Sequence, residues 1–403
     1  MRILFATWTA PGHLYPWTPL AWAFRAQGHD VMVAAPAFCH PQVHGAGLPA
    51  VAVGPAASPP SKGPAGYARS WGSDRPWPDG WTARPELLDA TQTMIMDYTA
   101  GKQIAAAAGL SDDLVAYARW WRPDLVVCDT LCFAGPVAAA AAGVPHLAVG
   151  WELATVLHAE RAGRVGGWLH GYSELFERFG LDVRACSERF IDSCPPSLRI
   201  EESFPVERTA VRYVPFNGPG TAPGWLSEQG GRPRVCVTSG VALDRYDAGS
   251  TSAVIRGLVA AVDGLGVELV VATAAGGASR LDLPADTRVA EGVPFHLLLP
   301  HCAAVVHHGG AGTAMTAVAT GTPQLVLPQS PMYAEIGHRV ARAGAGAVLA
   351  ADSEPEQVGK ALAALLDSPR HIRSLAAVRA EMDGMPAPAV VAERLAAEVL
   401  SRP

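Results

Sequence analysis

Residues 307–313, with the sequence HHGGAGT, have the residue types and spacing of an anion-binding turn. The apolar residues before them predict a strand that ends at His307, and the residues after them predict a helix that begins near Gly312. Free backbone N–H groups and the positive pole of the helix then meet at one point, where a phosphate group can bind without a metal ion. The residues expected to contribute N–H groups, side-chain donors or close backbone approach are His308, Gly309, Gly310, Gly312 and Thr313.

Two better-known phosphate-binding motifs do not match this turn. No Gly-Lys-Ser/Thr follows it, which excludes a Walker A loop, and Met315 stands where a GxGxxG motif has its third glycine. A simpler interpretation is a tight strand-to-helix turn that needs glycine for its backbone. The paired histidines before the turn, and the Pro328 and Gln329 pair that ends the next predicted strand, favour phosphate binding over this alternative.

Apolar runs alternate with helical patterns on both sides of a Pro- and Gly-rich segment, residues 215–224 (PFNGPGTAPG). Strand–helix–strand alternation of this kind predicts parallel sheets that are covered by helices. Strands are predicted at residues 2–6, 31–35, 48–53, 125–128, 146–149, 235–238, 268–272, 303–307 and 324–327. Helices are predicted at residues 16–27, 135–142, 250–262, 312–320, 355–366, 369–382 and 388–400.

The predicted fold class is therefore α/β, with two Rossmann-like, doubly wound domains that face a cleft. The chain has 403 residues, which is more than one hydrophobic core usually holds. The predicted boundaries are 1–214 for the first domain, 215–224 for a linker, 225–385 for the second domain, and 386–403 for a C-terminal helix that packs back on the first domain. Ligands of such sheets bind beyond the carboxyl ends of the strands, so the site is expected in the cleft.

Composition narrows the classes of partner. With a net charge of −6 and 17% charged residues, the chain has no global attraction for nucleic acid or for an anionic membrane. The seven cysteines are scattered and odd in number, without a CxxC motif, which favours reduced thiols in a cytoplasmic protein. The apolar start is too short for a signal-peptide core, and the alanine-rich run 138–142 is flanked by prolines, so no membrane span is expected.

Five motifs follow one another along the chain in the order found in one enzyme family. They are PGHLYPWTPLAWAFRAQGHDV near the N-terminus, VRYVPFNGPG in the linker, EGVPFHLLLPHC, the turn HHGGAGT, and the late PAPAVVAERLAAE. Together they resemble family 1 glycosyltransferases of the GT-B fold, in particular the actinomycete enzymes that glycosylate antibiotics and other natural products. The resemblance covers nearly the whole chain apart from residues 55–121. It implies that residues 1–214 bind an acceptor and that residues 225–385 bind a nucleotide sugar.

The resemblance implies an inverting transfer with His13 as the general base. A histidine suits this task because its pKa lies near neutrality. It would take the proton from an acceptor hydroxyl while that oxygen attacks the anomeric carbon of the donor. Asp129, which follows a predicted strand, would orient the histidine. The alternatives are a structural or helix-capping role for His13, and a role for Asp129 as the N-cap of the following helix.

For the donor, the resemblance implies a nucleoside diphosphate sugar, with thymidine favoured as the nucleoside. Ser239 and Gly240 are expected to help hold the diphosphate, and Val293 and Pro294 to contact the base. The nucleotide sugar is a co-substrate, and the resemblance implies neither a cofactor nor a metal ion. In agreement with this, the sequence has no DxD motif or other evident cluster of metal ligands.

One departure from the family pattern concerns the sugar. After Gln329 many relatives carry an Asp-Gln pair that binds sugar hydroxyls, but here Met332 and Tyr333 stand at these positions. Methionine cannot accept the same hydrogen bonds, and a buried hydroxyl left unpaired costs about 1–3 kcal/mol. We therefore expect a deoxygenated or amino-substituted sugar, with Glu335 as a further contact.

An irregular segment, residues 55–84, is rich in proline, glycine and serine and carries Trp71, Trp77 and Trp81. Long loops inside compact domains are often functional, and indole rings suit an apolar pocket. These tryptophans are therefore expected to bind the acceptor, a hydrophobic aglycone such as a polyketide or an antibiotic. Simple core packing is the alternative for each of them.

Two other functions are compatible with the predicted architecture. A sugar-nucleotide epimerase would need acid and base groups around the donor sugar. A catalytically silent auxiliary protein would bind a partner enzyme, and the presence of both His13 and Asp129 argues against it. The oligomeric state stays open, with a homodimer as one option.

Overall fold

The computed structural model describes residues 1–8, 11–57, 71, 75–150, 162–163, 167–168, 171–185, 188–199, 207–228, 231–239 and 248–401. In this part of the chain, two parallel sheets are covered by helices. The strands of one sheet lie between residues 2 and 210, and those of the other between residues 234 and 348. The predicted α/β class with two doubly wound sheets is confirmed.

In chain order, the strands of the first half are β1 (Arg2–Ala6), β2 (Asp30–Ala35), β3 (Ala50–Ala52), β4 (Leu125–Asp129), β5 (His146–Gly150), β6 (Ala162–Gly163), β7 (Gly167–Trp168), β8 (Glu188–Asp192) and β9 (Arg208–Ala210). Strands β6 and β7 pair antiparallel with each other. The others form a parallel sheet in the order β3-β2-β1-β4-β5-β8-β9.

The strands of the second half are β10 (Arg234–Val237), β11 (Glu268–Thr273), β12 (Arg288–Glu291), β13 (Ala304–His307), β14 (Gln324–Val326) and β15 (Gly346–Val348). They form a parallel sheet in the order β12-β11-β10-β13-β14-β15.

The described α-helices are α1 (Pro11–Leu14), α2 (Thr18–Ala26), α3 (His40–Gly45), α4 (Ala90–Trp121), α5 (Ala134–Ala142), α6 (Tyr172–Glu177), α7 (Ala248–Val262), α8 (Phe295–Leu298), α9 (Ala311–Thr320), α10 (Pro331–Arg342), α11 (Pro355–Leu366), α12 (Pro369–Asp383) and α13 (Pro388–Leu400). None of them combines the length and the apolar character that a membrane-spanning helix requires.

The central strands are apolar along their whole length because both of their faces are covered. In β4, Leu125 and Val127 pack on one side of the sheet with α2, whereas Val126 and Cys128 pack on the other side with α4 and α5. All four residues are at most 1% exposed. A parallel sheet buried in this way produces continuous apolar runs rather than alternation, which is why these strands could be recognised in the sequence.

In each sheet the strand order reverses at one place. In the first sheet this place lies between β1 and β4, with Ala6 beside Cys128, and in the second between β10 and β13, with Val237 beside Val306. Doubly wound sheets bind ligands at the carboxyl ends of the strands where the order reverses. The residues that follow β1, β4, β10 and β13 are therefore expected to form the functional site.

The last helix, α13, packs against the first half of the chain. Val391 and Leu395 of α13 share an apolar cluster with Phe24 of α2, and the Gln27 side chain donates to the Ala389 carbonyl at 2.7 Å. The segment before α13 lies beside the one before the linker, where the Arg212 N–H donates to the Pro386 carbonyl at 2.7 Å. The exact boundaries 1–214, 215–224, 225–385 and 386–403 stay predictions.

Several elements differ from their sequence-based expectations. The helix predicted at residues 16–27 begins with a 3₁₀ turn (Tyr15–Trp17) and becomes α-helical only at Thr18. The long helix α4 was not predicted. A capping box of Asp89 and Gln92 starts it, but its apolar residues form no single stripe, because it packs against both α5 and α6.

Candidate active site

Asp129 ends strand β4 and is completely buried. Its Oδ1 accepts a hydrogen bond from the Leu131 N–H at 3.0 Å, and its Oδ2 accepts one from Thr7 Oγ1 at 3.3 Å. Thr7 follows β1, so the two strands at the reversal hold this carboxylate between them. The N-cap residue of α5 is Phe133, so Asp129 does not cap that helix as the alternative interpretation had it.

His13 lies in the short helix α1, which follows β1, and its Nδ1 is 3.1 Å from Asp129 Oδ1. The two residues are 116 positions apart in the sequence. An ionised carboxylate only accepts hydrogen bonds, so this contact places the proton on Nδ1 and turns Nε2 away from Asp129. Trp8 packs edge-on against the imidazole, with ring centroids 5.3 Å apart. The His13 side chain is 17% exposed, so a small molecule can reach it, while Asp129 stays shielded from water.

The second reversal brings Ser239 and the histidine pair together. Ser239 follows β10, His308 follows β13, and these strands are neighbours in the sheet. Ser239 is 3% exposed and His308 is 7% exposed. Gly240 lies outside the described residues. The structure therefore brings Ser239 to the same sheet edge as the predicted diphosphate turn.

The three glycines of the turn differ in what a side chain would contact at each position. Gly309 has a φ of +96°, and a Cβ there would lie 2.8 Å from the Cβ of Tyr333, so only glycine fits. At Gly310, the N-cap of α9, a Cβ would meet the His308 ring at 2.6 Å. A Cβ on Gly312 would meet nothing within 4 Å. Gly312 therefore faces open space, where a ligand could approach the backbone.

Helix α9 begins at the turn without a side-chain cap on its N-cap residue. The N–H groups of Ala311 and Gly312 have no hydrogen-bond partner among the described residues, whereas the N–H of Thr313 bonds to the Gly310 carbonyl at 3.1 Å. Thr313 itself is 8% exposed. Two N–H groups and the helix dipole therefore point out of the second sheet at its reversal, as an anion-binding site requires.

His307 shapes this turn rather than facing a ligand, a role that the sequence did not indicate. Its Nδ1 accepts a hydrogen bond from the Gly309 N–H at 3.1 Å, so its Nε2–H donates to Gln324 Oε1 at 3.0 Å. The ring is 1% exposed, and burial lowers the pKa of His307 to about 4. His307 is thus a neutral side chain that fixes the backbone of the glycine turn.

His308 is also a neutral side chain at physiological pH. Burial and the neighbouring His307 lower the pKa of His308 to about 3. Its Nδ1 is buried and has no hydrogen-bond partner among the residues that the structure describes. His308 can therefore offer a phosphate oxygen a hydrogen bond, but not a positive charge. Tyr333 packs edge-on against its ring, with centroids 5.1 Å apart.

The segment expected to contact the base lies against the linker. Val293 is half-buried and Pro294, the N-cap of α8, is buried. A Cβ on Gly220 would lie only 2.3 Å from the Pro294 ring, so the linker passes very close to this segment. Pro294 thus contacts the linker, and Val293 packs against an apolar cluster of the second sheet.

Comparison with known proteins identifies the family. Residues 22–240 match the N-terminal domain of erythromycin biosynthesis protein CIII-like proteins, and residues 256–398 match the C-terminal domain of the same group. The chain belongs to this glycosyltransferase family. Its membership confirms the resemblance that the motifs indicated and makes the protein an enzyme.

Individual relatives agree along the whole length. The chain is 34% identical to 10-deoxymethynolide desosaminyltransferase of Streptomyces venezuelae, over 99% of this chain and 98% of the relative. It is also 34% identical to aclacinomycin-T 2-deoxy-L-fucose transferase of Streptomyces galilaeus, over 96% of this chain and 94% of the relative. The structure of spinosyn rhamnosyltransferase SpnG complexed with thymidine diphosphate superposes with a TM-score of 0.79 at 28% identity, over 98% of this chain and 100% of that one. The fold is GT-B.

In this glycosyltransferase, Met332 and Glu335 of α10 contact the tryptophan-bearing segment of the first half. Met332 packs against the cluster that contains Trp71, Trp77 and Trp81. Glu335 is 2% exposed, and its Oε1 accepts a hydrogen bond from the Gly80 N–H at 3.0 Å. Its Oε2 has no hydrogen-bond partner among the described residues, and burial raises the pKa of this carboxyl. Gln329 is half-buried, and its side chain donates to the nearby Leu327 carbonyl at 3.3 Å.

The three tryptophans pack on one another. Their ring centroids are 4.8 Å apart for Trp77 and Trp81, 5.6 Å for Trp71 and Trp77, and 6.4 Å for Trp71 and Trp81. Trp81 is fully buried, Trp71 is 7% exposed, and Trp77 is half-buried. The structure thus brings the three together as one apolar cluster, with Trp77 as its most accessible ring. Their role in acceptor binding stays a prediction.

Three side chains of the kinds that bind metal ions lie close together in the structure. No sequence motif indicated them, because Asp79 is far along the chain from Glu335 and His338. Asp79, Glu335 and His338 each offer a ligand atom, and these atoms lie within 4.8 Å of one another. Asp79 Oδ1 is also 3.6 Å from His338 Nδ1, and both side chains are exposed. The expectation that the enzyme needs no metal stays a prediction.

Proposed function

We propose that this glycosyltransferase moves a deoxy- or amino-sugar from a thymidine diphosphate donor to a hydroxyl group of a hydrophobic, polyketide-type aglycone. Inversion at the anomeric carbon and a general-base role for His13 are part of the proposal. The observation that carries it is the contact between partly accessible His13 and fully buried Asp129 at the reversal of the first sheet.

In the proposed reaction, His13 Nε2 takes the proton of the acceptor hydroxyl. The acceptor oxygen then forms a bond to the anomeric carbon, while the bond from that carbon to the diphosphate oxygen breaks. Thymidine diphosphate leaves with the electron pair of the broken bond. Asp129 holds the imidazole in the required tautomer and stabilises the imidazolium that forms. Because the attack comes from the face opposite the leaving group, no covalent enzyme intermediate is needed.

The leaving diphosphate would bind at residues 307–313. The N–H groups of Ala311 and Gly312, the start of α9 and the neutral side chain of His308 all offer hydrogen bonds or positive potential there. Ser239 would add a hydroxyl from the neighbouring strand. These donors suffice for a diphosphate, so we propose that the transfer needs neither a metal ion nor a cofactor. Dialysis of the enzyme against a chelator should leave the rate unchanged, and a rate restored only by a divalent cation would contradict this.

The proposed sugar class has two supports. Met332 faces an apolar cluster instead of offering a hydrogen bond, and the two relatives described above are named for transfer of desosamine and of 2-deoxy-L-fucose. A panel of thymidine diphosphate sugars tests the idea by mass spectrometry of the glycosylated product. Equal turnover of glucose and deoxysugar donors would contradict it.

The base assignment is tested with His13→Ala, Asp129→Asn and the control His44→Ala, an exposed histidine in the same half. Loss of general-base catalysis should lower kcat by about 10²–10⁴-fold for His13→Ala. The dissociation constant of thymidine diphosphate should stay within twofold, because His13 belongs to the other half of the site. Full turnover by His13→Ala would show that another group takes the proton. Adduct-free conversion of the donor sugar would instead indicate an epimerase.

A further inference from the structure

Asn217, within the predicted linker, bonds to two separate elements of the second half. Its Oδ1 accepts a hydrogen bond from the backbone N–H of His296 in α8 at 3.0 Å. Its Nδ2 donates to Thr316 Oγ1 in α9 at 3.0 Å. One amide side chain therefore connects the helix after the base-contacting segment with the helix after the diphosphate turn.

The orientation of this amide follows from its partners. The N–H of His296 can only donate, so the oxygen of Asn217 must face it and the nitrogen must face Thr316. Thr316 Oγ1 has one hydrogen, which it donates to the Gly312 carbonyl at 2.6 Å. It therefore accepts from Asn217, and it lies 3.2 Å from the Tyr213 hydroxyl as well.

The Thr316 and Tyr213 end of this network is shielded from water, whereas Asn217 and His296 are half-buried. Thr316 is fully buried, Tyr213 is 6% exposed, and burial raises the pKa of Tyr213 to about 12, so its hydroxyl keeps its proton. The Tyr213 hydroxyl also lies 3.4 Å from the Gly312 carbonyl. In such surroundings a lost partner leaves a polar group that water cannot satisfy. The position of Gly312 is thus fixed from its carbonyl side, while its N–H faces the proposed diphosphate.

We propose that Asn217 is a positioning residue that keeps the base-contacting segment, Val293 and Pro294, in register with the start of α9. A nucleoside diphosphate can then bind both elements at once. This inference rests on the proposed function, because it assumes that a nucleoside diphosphate occupies these two elements.

The consequence is specific to ligands that span both elements. A ligand with two linked groups binds tightly only when its two subsites have the matching separation and orientation. Without the Asn217 bridge each subsite persists, but their relative position is no longer fixed. We expect thymidine diphosphate to bind about tenfold more weakly to Asn217→Ala, which corresponds to the loss of roughly one hydrogen bond. Thymidine alone, which uses only the base subsite, should bind within about twofold of wild type.

The experiment compares the full-length enzyme with Asn217→Ala, Thr316→Val and Thr316→Ser, by calorimetric titration with thymidine diphosphate and with thymidine. Thr316→Val preserves the shape of the side chain but removes Oγ1, so it should behave like Asn217→Ala. Thr316→Ser retains Oγ1 and should bind both ligands like wild type. The donor KM should rise about tenfold in the first two variants with kcat nearly unchanged, because uniform binding is what they lose.

Each other result overturns the inference. Equal losses of thymidine and thymidine diphosphate affinity would indicate general damage, and unchanged affinity in Asn217→Ala would show that the bridge does not matter. If Asn217→Ala fails to fold, the comparison of Thr316→Val with Thr316→Ser tests the inference instead. Thymidine diphosphate binding by Thr316→Ser that is as weak as that by Thr316→Val would contradict it. Failure of wild type to bind thymidine diphosphate would instead refute the proposed function, and the inference with it.

Discussion

Stability of the enzyme should depend on pH through His308, and His308→Gln isolates this dependence. In the folded state burial lowers the pKa of His308 to about 3, against an ordinary value of 6.5 in the unfolded chain. Between these two values the unfolded chain binds a proton that the folded chain does not. Folding stability is therefore fully present above pH 6.5 and falls as the pH is lowered from there towards 3.

The expected magnitude follows from this window. At about 1.4 kcal/mol per pH unit, protonation of His308 in the unfolded chain costs roughly 2 kcal/mol of stability at pH 5. His307, whose pKa is lowered to about 4, adds a loss of the same sign and similar size. Wild type and His308→Gln share the His307 contribution, so only the His308 part remains in their difference.

The measurement is equilibrium urea unfolding at pH 7.5 and pH 5, followed by tryptophan fluorescence and circular dichroism together. Between pH 7.5 and pH 5, the free energy of unfolding of wild type should fall by roughly 2 kcal/mol more than that of His308→Gln. His301→Gln, an exposed histidine in the same half of the chain, is the control and should follow wild type, because an exposed side chain changes its surroundings little on unfolding. A movement below about 0.5 kcal/mol would refute the reasoning, since His308 would then be protonated or hydrated in the folded enzyme.

Three further predictions concern the same site. Gly309→Ala should destabilise the enzyme by about 1–3 kcal/mol, because residue 309 has a positive φ and Tyr333 lies close to it. Gly312→Ala should keep the wild-type Tm and raise the donor KM, because a Cβ there meets no protein atom. Equal Tm values for the two variants would contradict this. His308→Ala should raise the donor KM more than it lowers kcat, and an unchanged KM in steady-state assays would exclude a role in holding the diphosphate. Glu335→Gln should slow turnover of amino-sugar donors but not of neutral deoxysugar donors, and parallel losses would show that the carboxylate only supports Gly80.

Features that depend on neighbouring residues could be predicted from the sequence. The glycine turn and the start of α9 are such a case, because strand end, turn and helix start follow one another within a few residues. The His13 and Asp129 contact was predicted from the family resemblance, and the strand order explains it, since each residue follows one of two adjacent strands. The buried central strands were recognisable because their apolar runs are continuous.

Features that depend on distant segments could not be predicted in this way. The Glu335 and Gly80 hydrogen bond joins residues 255 positions apart, and no local pattern indicates it. From the sequence, Met332 indicates only that hydrogen bonds to sugar hydroxyls are absent at this position. Its packing against the tryptophans depends on the folded chain. Helix α4 was missed because two faces of it are covered, which removes the single apolar stripe that identifies a surface helix.

The return of α13 to the first half means that the chain passes between the two halves twice. The Arg212 N–H and the Pro386 carbonyl join these two crossings by a hydrogen bond, so they run side by side. Two adjacent crossings form a hinge. They permit rotation of one half against the other about a single axis and oppose twisting or sliding in other directions. Cutting the chain within one crossing would therefore not separate the halves, but it would remove the restriction on the direction in which they open.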